Sequence, residues 1–202
     1  MPLWLPATPL VLASQSKVRR ALLEAAGIPV EVRPAHLDER AIELQAGAAG
    51  PGEVAQTLSR EKARTVAAMS ERGIVIGCDQ TLALGKRRFD KPTDRFAAGE
   101  QLRSMRGKVH ELYSAVTVCR NGSVTFGHVA VARLTMRDFS DAFLEDYLDA
   151  AGANVTASVG AYQLERTGIH LFERIEGDHF TILGLPMLPL LEHLRREGLL
   201  AA

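Results

Sequence analysis

The chain has 202 residues, 47% of them hydrophobic, with 24 acidic and 24 basic side chains and no formal net charge. That length suits one sizeable domain, or two small lobes sharing a cleft, and the balanced charge argues against holding nucleic acid by bulk positive field. No apolar run approaches ~20 residues, so no transmembrane helix is expected.

The opening MPLWLPATPLVLAS lacks a basic segment and carries three prolines, a poor match to a signal peptide. Cys78 and Cys119 sit in strand-like apolar runs with no CxxC pair, which reads as buried, reduced thiols of a cytosolic chain. Pro9 to Ala13 is a short apolar strand. Ser14-Gln15-Ser16 breaks it, and the spacing of Val18, Ala21, Leu22 and Ala25 predicts a helix from Lys17 to Ala26, closed by Gly27. Val30 to Arg33 alternates as a second strand and leads to His36-Leu37-Asp38-Glu39. A soft stretch from Gln45 to Gly52 precedes a longer helix, Pro51 to about Glu71, with proline in its first turn. Ile74 to Leu84 reads as a buried strand interrupted by one acid, Asp79. Gly85-Lys86 turns it into a short return strand at Arg88-Phe89.

A helix from about Asp94 to Met105 follows. Lys108 to Arg120 and Ser123 to Met136 are long strand-like runs joined by Asn121-Gly122, a strong hairpin signal. Ser140 caps a helix that ends at Ala151 before Gly152. A strand is expected from Ile169 to Ile175, and Gly184-Leu185-Pro186 opens a last amphipathic helix to Arg196. No repeat, low-complexity region or linker is visible. The mixture predicts an α/β fold with a mixed twisted sheet and flanking helices.

Three places could carry chemistry. In LASQSKVRRALL, residues 12–23, a strand enters a serine-rich turn at a helix start. Free N–H groups and the helix dipole there favour an anion, with Ser14, Ser16 and Arg19 as further donors. A plain N-cap with solvated arginines explains the same residues, and both readings stand. Asp79 is the second place, because a carboxylate in an apolar strand is costly unless paired or metal-bound. A tie to a neighbouring backbone or arginine would suffice for it alone. Asp38-Glu39, Lys62 and Lys91 also fall at element edges, a set suited to a phosphate ester bound through a divalent metal. The third is residues 158–186, whose glycines allow close approach to a ligand. Tyr162 and Phe172 there could stack on a base, although core packing explains such spacing more often, and Glu165 could be a solvated loop acid. No P-loop, zinc spacing or GxSxG elbow occurs.

These segments match a known family. LASQSKVRRALLEAAG, Asp38-Glu39, SREKA at 59–63, GCDQ at 77–80, DKP at 90–92, GAYQLERTG and GDHFTILGLP resemble the Maf family over nearly the whole chain, in order. The resemblance implies a single Maf-type domain over 1–202, with two lobes around a cleft, related to inosine triphosphate pyrophosphatases. It implies hydrolysis of nucleoside triphosphates to monophosphate and pyrophosphate with a divalent metal, magnesium or manganese. Ser14, Ser16 and Arg19 fall on the family's phosphate-binding motif, and Glu39, Lys62 and Lys91 on its polar positions. Asp79 falls on its proton acceptor. Asp79 and Glu39 become the metal ligands, with Asp79, Lys91 and Glu39 catalytic; metal, water and Lys91 would then compensate the charge of Asp79. Lys17 replaces the family's usual proline.

Three positions that sort the family by substrate correspond to Val18, Gln80 and Glu165. Gln80 and Glu165 resemble the branch acting on 7-methyl-GTP, as do RRALLE at 19–24, LFERIEG at 171–177 and LRREG at 194–198. Val18 stands where that branch often has tryptophan, and GAYQ is closer to the branch acting on dTTP and UTP. The alternatives are therefore a dTTP/UTP pyrophosphatase or a non-catalytic nucleotide-binding regulator of cell division. A cytoplasmic enzyme with a nucleotide substrate, no membrane and no nucleic acid partner is expected. A homodimer is left open.

Overall fold

The computed structural model describes residues 3–69 and 73–201. Strand β1 (Leu10–Leu12) is wholly buried, and Ser16 accepts from the Arg19 N–H to cap helix α1 (Lys17–Ala25). Gly27, at φ 76°, makes the left-handed exit foreseen for it. Strand β2 (Val30–Val32) leads to a helix the sequence reading did not foresee, α2 (Glu39–Ala46), capped by the Asp38 carboxylate on the Ala41 N–H. Helix α3 (Pro51–Ala68) begins at its proline as expected. It ends at Ala68, and the expected end at Glu71 lies outside the described residues.

Strand β3 (Ile74–Leu84) and the short β4 (Arg87–Phe89) form the expected hairpin, and Asp94 caps α4 (Arg95–Met105). Strands β5 (Val109–Arg120) and β6 (Ser123–Met136) turn at Asn121-Gly122, both with positive φ as such a tight turn requires. Ser140 caps α5 (Asp141–Ala151). The strand expected at Ile169 starts three residues later: Thr167–Leu171 is a 3-10 helix, and β7 covers Phe172–Glu176. Before α7 (Met187–Arg196) comes a single further turn, α6 (His179–Ile182), which was also not foreseen.

The seven strands form one sheet in the order β2-β1-β3-β5-β6-β7, with β4 on β3. β1 pairs in parallel with β2 and β3, while β4 and β7 pair antiparallel to their neighbours. The mixed α/β expectation therefore holds. No helix among the described residues is long and apolar enough to cross a membrane.

The chain divides into two compact units. The first comprises Met1–Gln80, Ser114–Ala130 and His179–Ala202; the second comprises Thr81–Tyr113 and Val131–Asp178. In the first, alternate strand residues serve two layers. Leu10, Leu12, Ile74, Ile76, Val116 and Val118 pack with Leu23, Leu190 and Leu194. Val11, Val75 and Cys119 turn the other way, onto Ala63, Val66 and Ala67 of α3. Both cysteines are free and buried; burial pushes the Cys78 thiol up to about 11, leaving it inert at neutral pH.

In the second unit Tyr162 and Phe172 meet edge to face at 4.8 Å, and Tyr162 is 5% exposed. Tyr162 is a core residue, as its spacing suggested, and the partly buried Phe172 packs against it.

Candidate active site

Strand β1 stops at Leu12, while β3, paired with it through Leu12↔Ile76, runs on through Gly77, Cys78, Asp79 and Gln80. Past that point the carbonyl of Cys78 loses its strand partner on that side. Arg19 supplies one, donating from Nη1 to Cys78 O at 3.0 Å. The same side chain donates to Ser14 Oγ (3.1 Å) and, from Nε, to Gly184 O (2.7 Å). Arg19 thus ties the start of α1 to β3 and to the turn before α7. Its Nη2 has no partner among the described residues.

Ser14 Oγ accepts from Arg19 and from the Ser16 N–H at 3.3 Å, so its own hydrogen is free to donate outward. Ser16 is occupied as the cap, accepting from the Arg19 N–H at 3.3 Å. Lys17 and Val18 keep N–H groups at the helix start that bond to nothing among the described residues. Together these donors and the dipole of a nine-residue helix make a place for an anion. Arg20 takes no part, being exposed and paired with Glu24 at 2.8 Å.

Asp79 faces the other layer. Gly77 precedes it on the same face of β3, and a Cβ there would lie 2.0 Å from Ser59 O and 2.6 Å from Ala63 N. Only glycine lets the backbone of α3 press this closely on the strand. One turn of α3 then brings Lys62 Nζ to Asp79 Oδ1 at 2.6 Å. Both residues are buried, at 9% and 7% exposure, so each needs the other's charge. Glu39, the first residue of α2 and half-exposed, reaches the same ammonium at 3.0 Å. Lys62 is thus the cation paired with Asp79 in the first unit, a pairing the sequence reading did not make.

Gln80, one residue on, points to the opposite face. Its Nε2 donates to Ser114 Oγ (2.9 Å), Ile182 O (3.0 Å) and Thr181 O (3.2 Å). Ser114 is fully buried in β5 and escaped the sequence reading. A small hydroxyl in the otherwise largely apolar run LYSAVTVC was the available signal.

Ser14, Ser16, Val18, Arg19, Glu39, Lys62, Asp79 and Gln80 all belong to the first unit. Lys91 and Glu165 belong to the second, where each is exposed and has no hydrogen-bonding or ionic partner among the described residues. Lys91 follows β4, beside the buried Pro92, and Glu165 lies in the turn before the 3-10 helix.

A metal ion is tested by the donor set. Two carboxylates share one ammonium, so Glu39, Lys62 and Asp79 retain a net negative charge. Hard carboxylate oxygens are what magnesium and manganese take, and magnesium is commonly held by one or two carboxylates with substrate phosphates completing the shell. No group of three or more His, Cys, Asp or Glu residues able to hold an ion occurs among the described residues. The pair fits a cation brought with a phosphate ligand.

Residues 9–197 match the model of the Maf-like protein family. The chain is 54% identical over 201 residues, all of both chains, to a nucleoside triphosphate pyrophosphatase of Rhodopseudomonas palustris (strain ATCC BAA-98 / CGA009). It is 51% identical to a 7-methyl-GTP pyrophosphatase of Rhizobium meliloti (strain 1021), covering 96% of this chain and 98% of that one. Among solved structures, a HAM1 protein from Coxiella burnetii aligns over 65% of this chain and 74% of its own at 13% identity, with a TM-score of 0.42.

Proposed function

The chain belongs to the Maf-like protein family, and on that premise we propose that it is a nucleoside triphosphate pyrophosphatase, with 7-methyl-GTP preferred over dTTP and UTP. It would hydrolyse the bond between the α and β phosphates, giving a nucleoside monophosphate and pyrophosphate. The observation that carries this is the convergence of Asp79 and Glu39 on Lys62, one residue along β3 from the carbonyl that Arg19 holds.

The helix start, Ser14 and the free Nη2 of Arg19 bind and orient the triphosphate. Asp79 takes the proton of the attacking water as general base. Lys62, held against Asp79 in a buried setting, stabilises charge that builds on the phosphate oxygens in the transition state. Lys91, exposed and without a partner among the described residues, is the further cation assigned to the phosphates. Glu39 and Asp79 are the residues that would hold magnesium or manganese, which when bound neutralises phosphate charge and polarises the scissile bond.

For the base, Glu165 can accept from N1–H and N2–H₂ of guanine, and its charge favours the cationic ring of 7-methylguanine. The R. meliloti relative named for 7-methyl-GTP supports this preference. The test is kcat/KM for 7-methyl-GTP, UTP and dTTP in wild type and Glu165→Gln. The variant should lose far more on 7-methyl-GTP than on UTP. A wild-type preference for UTP or dTTP of about tenfold or more, the scale one recognition contact sets, would overturn the substrate assignment and leave the reaction type.

A further inference from the structure

Glu39 and Asp79 make one place for a cation, and the chain's own Lys62 fills it. Lys62 Nζ lies 2.6 Å from Asp79 Oδ1 and 3.0 Å from Glu39 Oε1, and it has no other partner among the described residues. The lysine side chain is 11% exposed and that of Asp79 10%, so water screens neither charge well. The same two carboxylates are the hard oxygen donors that a divalent ion takes. Such an ion has two ways in, and Lys62 opposes both. Taking the ammonium's own position leaves a buried lysine with no anion beside it. Binding through the other carboxylate oxygens sets a double positive charge against the ammonium at close range.

We propose that Lys62 couples metal to nucleotide: its ammonium keeps a divalent cation off Glu39 and Asp79 until the phosphates of a nucleotide take up its charge. This rests on the triphosphate binding proposed above. Phosphate oxygens beside Lys62 give the ammonium an anion when the carboxylates turn to the metal, and they complete the metal's oxygen shell. Each ligand removes the cost that Lys62 imposes on the other. The coupling is reciprocal, because two linked ligands must change each other's affinity by the same factor. Glu39 is the movable half of the pair, since its side chain is 50% exposed and α2 has no buried residue. Asp79 is fixed in β3. The site therefore takes metal and nucleotide together and holds free metal poorly.

The test is the affinity of the full chain for manganese ion alone, measured by calorimetry without nucleotide. Lys62→Met and Lys62→Gln should each bind it at least about fivefold more tightly than wild type, the lower end of ordinary coupling between sites. Adding Glu39→Gln to either should abolish the gain. A purely structural lysine would not give this sign, because loosened packing weakens a site. Both variants leave Asp79 buried without its partner and should melt lower. Manganese alone should then raise their Tm more than that of wild type. In wild type, the uncleavable α,β-methylene analogues of GTP and UTP should tighten manganese binding by at least about fivefold. Unchanged or weaker binding in the variants, an equal rise of Tm in wild type, or no tightening by the analogues overturns the proposal. A chain that releases pyrophosphate without showing the gain refutes the coupling alone. The gain without hydrolysis of any triphosphate refutes the proposed function alone.

Discussion

Asp79 and Gln80 are adjacent in β3 and serve opposite faces of the sheet. Asp79 meets Lys62 at 2.6 Å on the α3 side, and Gln80 meets Ser114 at 2.9 Å on the other. The period-two alternation of a strand thus separates a group proposed for proton transfer from one bonded to β5 and the turn at Thr181 and Ile182. Both stand beyond the end of β1, at the residues where β3 has lost that neighbour and Arg19 has replaced it.

Asp79→Asn should lower kcat by roughly 10²–10⁴, the usual cost of losing a general base. Nucleotide binding, by calorimetry, should change little, since Lys62 keeps Glu39 at 3.0 Å. The melting temperature should also fall, because the variant weakens a buried ion pair. Wild-type turnover in this variant would remove Asp79 from its role.

Gly77→Ala should destabilise the protein by about 1–3 kcal/mol, the common cost of overpacking, or roughly 2–12 °C in Tm. The added methyl meets backbone atoms of Ser59 and Ala63, which cannot rotate away. Displacing α3 also draws Lys62 from Asp79, so kcat should drop although neither residue has changed. Thermal melting and steady-state kinetics on one preparation check both effects.

Arg19→Ala should weaken triphosphate binding and stability together, because the guanidinium holds Ser14, Cys78 and Gly184 as well as offering Nη2. Arg20→Ala removes an exposed pair with Glu24 and should change stability by no more than about 0.5 kcal/mol. Equal effects of the two on KM would contradict the placement of the helix start.

His110 sets an acid limit on the second unit. It is fully buried, bonded through Nε2 to the Tyr162 hydroxyl at 2.8 Å, and its Nδ1 has no partner among the described residues. Burial pulls its pKa from 6.5 down to about 4, so the folded state favours the neutral ring. The stabilisation is complete above pH 6.5 and is lost as pH falls toward about 4, up to about 3 kcal/mol in all. His110→Gln should flatten the stability profile between those values. Denaturant unfolding across that range measures it.

The sequence exposed most of the frame because its punctuation is strong: Gly27, Asp94, Asn121-Gly122, Ser140 and Gly152 each end or begin an element where expected. Helix α2 was less visible, since ERAIELQA has a weak apolar face and none of its residues is buried. The 3-10 helix at Thr167–Leu171 hid within an apolar run that also suits a strand. In the site, Lys62 was legible as a candidate, but its bond to Asp79 was not. That bond depends on Gly77 admitting the α3 backbone, a contact between segments 14 to 18 residues apart. Ser114 was illegible for the same reason: its partners come from β3 and from the turn at Thr181 and Ile182.

The most direct measurement of the central claim is the identity of the products. Wild-type protein is incubated with magnesium or manganese and 7-methyl-GTP, GTP, UTP or dTTP, and the phosphorus-containing products are separated and quantified. Hydrolysis between the α and β phosphates predicts one nucleoside monophosphate and one pyrophosphate per triphosphate consumed, with Asp79→Asn nearly silent. Nucleoside diphosphate with orthophosphate, or no hydrolysis of any triphosphate, would contradict it.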